Sequence, residues 1–65
     1  MVRRALARLN PKARELLVLR YFMEFESAEI GQILGQPGAT VRGQLREARK
    51  QLAGELKREG YQYED

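Results

Sequence analysis

Residues 27–50 read SAEIGQILGQPGATVRGQLREARK, and this stretch decides the fold. Ile30, Ile33 and Leu34 recur at helical spacing, so it opens as a short amphipathic helix with those three on its core face. Ser27 stands three residues before Ile30, where its hydroxyl can cap the first amides, and Glu29 lies early enough to favour the helix dipole. Gly35 closes the helix, because glycine reaches the left-handed conformation of a helix end without a Cβ penalty. Gln36 and Pro37 cannot continue it, since proline lacks the amide donor and keeps its predecessor out of the α region. A longer helix is expected to start near Ala39 or Thr40, carrying Val41, Leu45, Ala48, Leu52 and Leu56 at spacings of four, three, four and four. It extends to about Arg58, and Gly60 offers a stop.

Upstream of this pair the apolar residues also keep helical spacing, and no stretch alternates with period two for long enough to make a strand. A first helix over 2–9 places Val2, Leu6 and Leu9 on one face and stops at Asn10-Pro11. Asn10 can cap the next helix, and Pro11 fits its first turn, where a missing N–H is harmless. The second helix is expected over 11–23, with Leu16, Leu17, Leu19, Tyr21 and Phe22 giving a wide apolar face that marks it as the most buried element. Phe22, Met23 and Phe25 form an apolar corner, which could be a protein-contact surface but in so small a domain is expected to join the core. The fold class is therefore all-α, a compact four-helix domain over 1–60 without a winged element. The polar tail 61–65 is expected to fray.

Composition narrows the function. A chain of 65 residues makes one domain with a small core and no room for a substrate cleft. It has no Cys and no His, which removes disulfides, thiolate nucleophiles, imidazole bases and the usual zinc and haem ligands. Its 9 acidic residues are scattered among 12 basic ones without an apolar pocket to tune them, so no catalytic role and no cofactor is expected. No apolar run approaches the ~20 residues of a membrane span, and the start of the chain lacks the apolar core of a signal peptide. The expected setting is cytoplasmic, with no membrane partner. Charge is unevenly placed: residues 21–41 hold no Lys or Arg, while basic residues cluster on both sides of this acidic waist. Such clusters suit a polyanion, and on helices they also serve as a solubilising face.

A short helix, a glycine-containing turn and a longer helix with a basic outer face have the sequence form of a helix-turn-helix. The crossing needs a small residue where the backbones meet, and Gly31 can supply it, with Ile30, Leu34, Val41 and Leu45 as clamps. Packing the apolar face of the last helix inward leaves Thr40, Arg42, Gly43, Gln44, Arg46, Glu47, Arg49 and Lys50 on or beside its outer face. These side-chain types read bases and hold phosphates: arginine bonds guanine bidentately, glutamine bonds adenine, and lysine and threonine commonly hold phosphates. The free amides at the start of this helix favour a phosphate near Ala39 and Thr40.

From Ala5 to Leu52 the chain resembles region 4 of sigma-70 family sigma factors, especially the extracytoplasmic-function group. ALARLNPKARELLVLRYF resembles the first helical pair of that family, SAEIGQILG its supporting helix, and PGATVRGQLREAR its recognition helix. The resemblance implies a domain that contacts the promoter minus-35 element in double-stranded DNA and touches the β flap of core RNA polymerase. It implies Thr40, Arg42, Gly43, Arg46 and Glu47 as DNA-facing, with Arg49 and Lys50 near phosphates. Two departures stand out. Family members often carry basic residues at the positions of Gln44 and Glu47 and a serine at Gly43, so this surface is less positive; Glu47 can accept a hydrogen bond from cytosine or simply lower non-specific affinity. The turn also reads Pro-Gly-Ala-Thr in place of Pro-Val-Gly-Thr, so Gly38 offers no apolar anchor. Competing readings are the output domain of a response regulator and a protein-interaction module bound by polymerase or an anti-sigma factor. The glutamate-rich start and dimerising last helix of the former are not evident.

Overall fold

The computed structural model describes residues 2–58 and Gly60. Its elements are α1 (Val2–Arg8), α2 (Pro11–Leu17), a π-helical segment (Val18–Phe22), α3 (Ser27–Leu34) and α4 (Gly38–Arg58). They make an all-α domain, as the spacing of apolar residues predicts, and no strand occurs among the described residues. The expected tail 61–65 and the side chain of Val2 lie outside the described part.

The α1–α2 junction forms as its residues dictate. Asn10 is extended at the N-cap, its Oδ1 accepts the Ala13 N–H at 2.8 Å, and Pro11 occupies the first turn. Loss of such a cap typically costs about 1 kcal/mol. The second helix, however, does not run regularly from 11 to 23. After Leu17 the ladder widens: the Met23 N–H bonds the Val18 carbonyl at 3.0 Å and the Phe25 N–H bonds the Leu19 carbonyl at 3.0 Å. This wider winding turns Tyr21, Phe22 and Met23 out to solvent, so the expected burial of Tyr21 and Phe22 and of the Phe22–Met23 corner does not occur. Only Phe25 of that corner packs against the core. The most buried part of the element is its α half, where Ala13, Leu16 and Leu17 are covered.

At α3 the cap is one residue earlier than expected. Glu26 is the extended N-cap and Ser27 the first helical residue; Glu29 reaches back to accept the Glu26 N–H at 2.7 Å, which ties the helix start to that register. Gly35 ends α3 at φ 71°, and the Gln36 N–H returns to the Gly31 carbonyl at 2.8 Å. Ile33, expected in the core, faces solvent instead, because Ile30 and Gly31 point at the fold and Ile33 lies off that face. Helix α4 begins at Gly38, a residue before the expected range, with the Pro37 carbonyl accepting the Val41 N–H at 3.1 Å.

The core is aliphatic. Leu9, Ala13, Leu16, Leu17, Ile30, Val41, Leu45 and Ala48 form one cluster, flanked by Leu6, Leu19, Phe25, Leu34 and Leu52. α4 is the spine of this arrangement: α1, α2 and α3 all pack on it. α1 meets it in the second half, where Arg8 pairs with Glu55 at 3.8 Å and Leu56 is buried. α3 meets it at the first turns, through Ile30 and Val41, both fully buried.

Candidate nucleic-acid interface

The geometry of the α3–α4 corner follows from one missing side chain. A Cβ on Gly31 would overlap the Gln36 carbonyl oxygen and stand 3.3 Å from the Gly38 amide nitrogen. Backbone therefore meets backbone here, as the sequence predicts for Gly31, and the turn is drawn against α3. Gly38 in turn lies 3.4 Å, measured from an ideal Cβ position, from the Ala28 Cα. The residue that departs from the family pattern thus brings the start of α4 directly onto α3.

With Val41, Leu45, Ala48 and Leu56 buried, α4 presents its opposite side to solvent. Thr40, Arg42, Gly43, Arg46, Glu47, Arg49 and Lys50 are all exposed, and Gln44 is half-buried. The structure brings these residues onto one surface and also divides them. Arg42, Arg46 and Arg49, at spacings of four and three, share one flank. They line an open depression of about 250 Å³ with Leu45, Ser27 at the start of α3, and Arg20 of the π-helical segment. Four guanidinium groups thus converge from two elements. Arg42 and Arg46 have no hydrogen-bond or ion-pair partner among the described residues. Arg49 donates to the Tyr21 hydroxyl at 3.0 Å, and Arg20 stands over the Tyr21 ring at 5.7 Å from its centroid. Glu26 reaches Arg20 at 4.0 Å with three quarters of its side chain exposed, so it trims the positive charge of the depression only slightly.

Gln44 and Glu47 lie on the opposite flank, along a shallow cleft shared with Asn10, Lys12 and Gln51. Asn10 Nδ2 donates to Gln51 Oε1 at 3.3 Å across that cleft. Thr40, two turns before Glu47, belongs to the same side. Between the flanks run Ala39, Gly43 and Lys50, and nothing comes within 4 Å of a Cβ built on Gly43. The outer surface of α4 is therefore cationic along one edge, low at Ala39 and Gly43 in the middle with Lys50 beyond them, and neutral along the other, where Lys12 faces the same cleft as Glu47.

Arg20 is the residue that linear reading misses. It sits within the apolar run LLVLRYF, where a helix was expected to be buried, and only the packing of the π-helical segment beside α4 brings it to Arg42 and Arg49. An arginine interrupting an apolar run is the one signal the sequence carries for it. Among the described residues no group of acidic side chains is arranged to hold a metal ion, and no helix is long and apolar enough to cross a membrane.

The family model for sigma-70, region 4, matches residues 1–52, which include α1 to α3 and α4 as far as Leu52. Neither a curated protein nor a solved structure matches the chain significantly. The order of helices, the Gly31 corner and the exposed basic edge of α4 agree with that match, and the chain belongs to the sigma-70 region 4 family, the domain by which sigma factors bind promoter DNA.

Proposed function

We propose that this domain reads the minus-35 element by laying the first half of α4 in the major groove. The observation that carries this reading is the four-arginine edge beside an open helix face, two of its guanidinium groups being without partners among the described residues. A major groove ~12 Å wide admits one helix, and a cationic edge on one side of it meets the phosphates of one strand. Arg42, Arg46, Arg49 and Lys50 then neutralise phosphates or reach guanine, and Thr40, Gly43, Gln44 and Glu47 face the remaining base edges. Membership of the region 4 family supports this assignment for the recognition helix as a whole, and the reading takes the domain to be of the extracytoplasmic-function type.

The test is a salt titration of binding to promoter-like duplexes, followed by amide shifts. Binding that weakens steeply with salt, with shifts concentrated at 40–50, supports the reading; salt-independent binding, or shifts elsewhere, counts against it. Arg42→Ala or Arg46→Ala should cost about 1–3 kcal/mol and relax one base position where the arginine reads a base, and should weaken all duplexes alike where it holds a phosphate.

A second contact is favoured by the exposed apolar side chains Phe22, Met23 and Ile33, at 66%, 56% and 54% exposure. Solvent-facing large apolar groups on so small a domain suit a protein partner. For a sigma region the polymerase β flap is the natural one, and an anti-sigma factor would compete for the same surface. Phe22→Ser should weaken pull-down of the isolated flap while leaving duplex affinity unchanged.

A further inference from the structure

We propose that Glu47 selects cytosine: its carboxylate accepts a hydrogen bond from the N4 amino group of one cytosine in the major groove. The proposal rests on the DNA reading above and adds the base that one side chain chooses. Glu47 is the single acidic residue of 38–54, and it lies on the flank away from Arg42, Arg46 and Arg49. The arginine edge can bring the helix to the phosphates while Glu47 is held off them, over the groove floor.

Room for it is provided one turn earlier. Helical side chains lean toward the N-terminus, so the Glu47 side chain can be laid over the turn that contains Gly43. Gly43 has no side chain, and beyond the backbone of its own helix and its two chain neighbours nothing described lies within 4 Å of where its Cβ would be. The backbone can approach the base edges there, and the space is open for the carboxylate to swing into on leaving Lys50. Its existing partner is replaceable: Lys50 Nζ stands 3.8 Å from Glu47 Oε2, with side chains 70% and 66% exposed. A pair this open is worth little, so exchanging it for a base donor costs little.

The chemistry then singles out the base. An ionised carboxylate only accepts. In the major groove guanine offers two acceptors and thymine an acceptor beside a methyl group, and both repel or ignore it. Adenine offers a donor flanked by the N7 acceptor, which a carboxylate cannot satisfy. Cytosine alone presents an amino donor without an adjacent acceptor on its own edge.

The experiment is selection from a randomised duplex pool by the wild-type domain and by Glu47→Ala and Glu47→Gln. The wild type should enrich cytosine at one position, and replacing that C·G pair by T·A should weaken binding by about fivefold or more. N4,N4-dimethylcytosine at the same position, which keeps the base but removes the donor, should reproduce the loss. Glu47→Ala should lose the preference at that position and retain the others, and Glu47→Gln should shift it toward adenine. If Glu47→Ala instead binds every duplex more tightly with an unchanged preference, Glu47 is only a repulsive charge and the proposal is overturned. A wild type without cytosine preference at any position affected by the variants overturns it equally. Failure of the wild type to bind any duplex would refute the DNA reading itself, a separate result. An unchanged circular dichroism spectrum for the variants excludes misfolding of this exposed site.

Discussion

Two connections lead into the helices of the corner, and they are built on opposite terms. The turn from α3 to α4 is locked: Gly31 lies against the Gln36 carbonyl, Gly35 takes the left-handed conformation, and the Gln36 N–H returns to Gly31. The passage from α2 to α3 is loose by comparison. Its backbone widens to π winding, Glu24 adopts φ 60° without being glycine, and Tyr21, Phe22 and Met23 stand in solvent. The first connection aims α4 and tolerates no freedom. The second gives up helical regularity and apolar burial, and in return it sets Arg20 beside the arginines of α4 and leaves apolar groups outward. Precision is concentrated where a helix must be pointed, and irregularity where side chains must be displayed.

The strongest way to break this comparison is to add one methyl group to the locked turn. Gly31→Ala forces the Gln36 carbonyl away from α3 and should cost about 1–3 kcal/mol by urea unfolding, with loss of duplex binding. Met23→Ala, at an exposed position of the loose passage, should stay within about 0.5 kcal/mol. Equal costs would show that the two connections do not differ. Next in size, Arg20→Ala should reduce duplex affinity about tenfold and lower the salt slope by roughly one, as for one lost phosphate contact, with at most about 1 kcal/mol of stability lost with its long 3.5 Å bond to the Phe25 carbonyl. An unchanged slope would confine the DNA surface to the helix-turn-helix.

Two smaller effects sharpen the contrast by sign. Gly38→Ala meets Ala28 at an ordinary 3.4 Å and restricts the unfolded chain, so it should stabilise by about 0.4–1 kcal/mol, opposite to the same change at Gly31. Glu24→Gly removes the cost of a left-handed non-glycine residue, largely offset by unfolded-state entropy, and should raise the melting temperature by an amount worth about 0.5 kcal/mol. A lowered melting temperature would mean that the Glu24 side chain holds the passage in place.

What could be read from the sequence follows the range of the interactions involved. Asn10-Pro11, Gly35 and Pro37 act on their own neighbours, so the helix boundaries they set are close to those observed. Gly31 was legible because the helix-turn-helix pattern itself demands a small residue there. The Glu26 cap was not, since serine is the better intrinsic cap and the Glu29 return bond decides the register. The π-helical segment was also hidden: a run such as LLVLRYF has helical apolar spacing whether the ladder closes at four residues or five, and only its packing against α3 settles the matter. For the same reason the outer residues of α4 were nameable in advance, from Thr40 to Lys50, while their separation into a cationic and a neutral edge emerged only when Arg20 and Lys12 arrived from elsewhere.

One consequence follows from α4 being unbroken over 21 residues. It behaves as a beam roughly 31 Å long, carrying the exposed residues Thr40 to Lys50 toward one end and, at the other, the apolar and charged fastening to α1 through Leu56 and Glu55. α3 bears on it near its first turns. On the proposed DNA reading, one continuous helix thus joins the seat of α1 to the groove, so a change in how α1 is fastened is carried to the end that meets the bases.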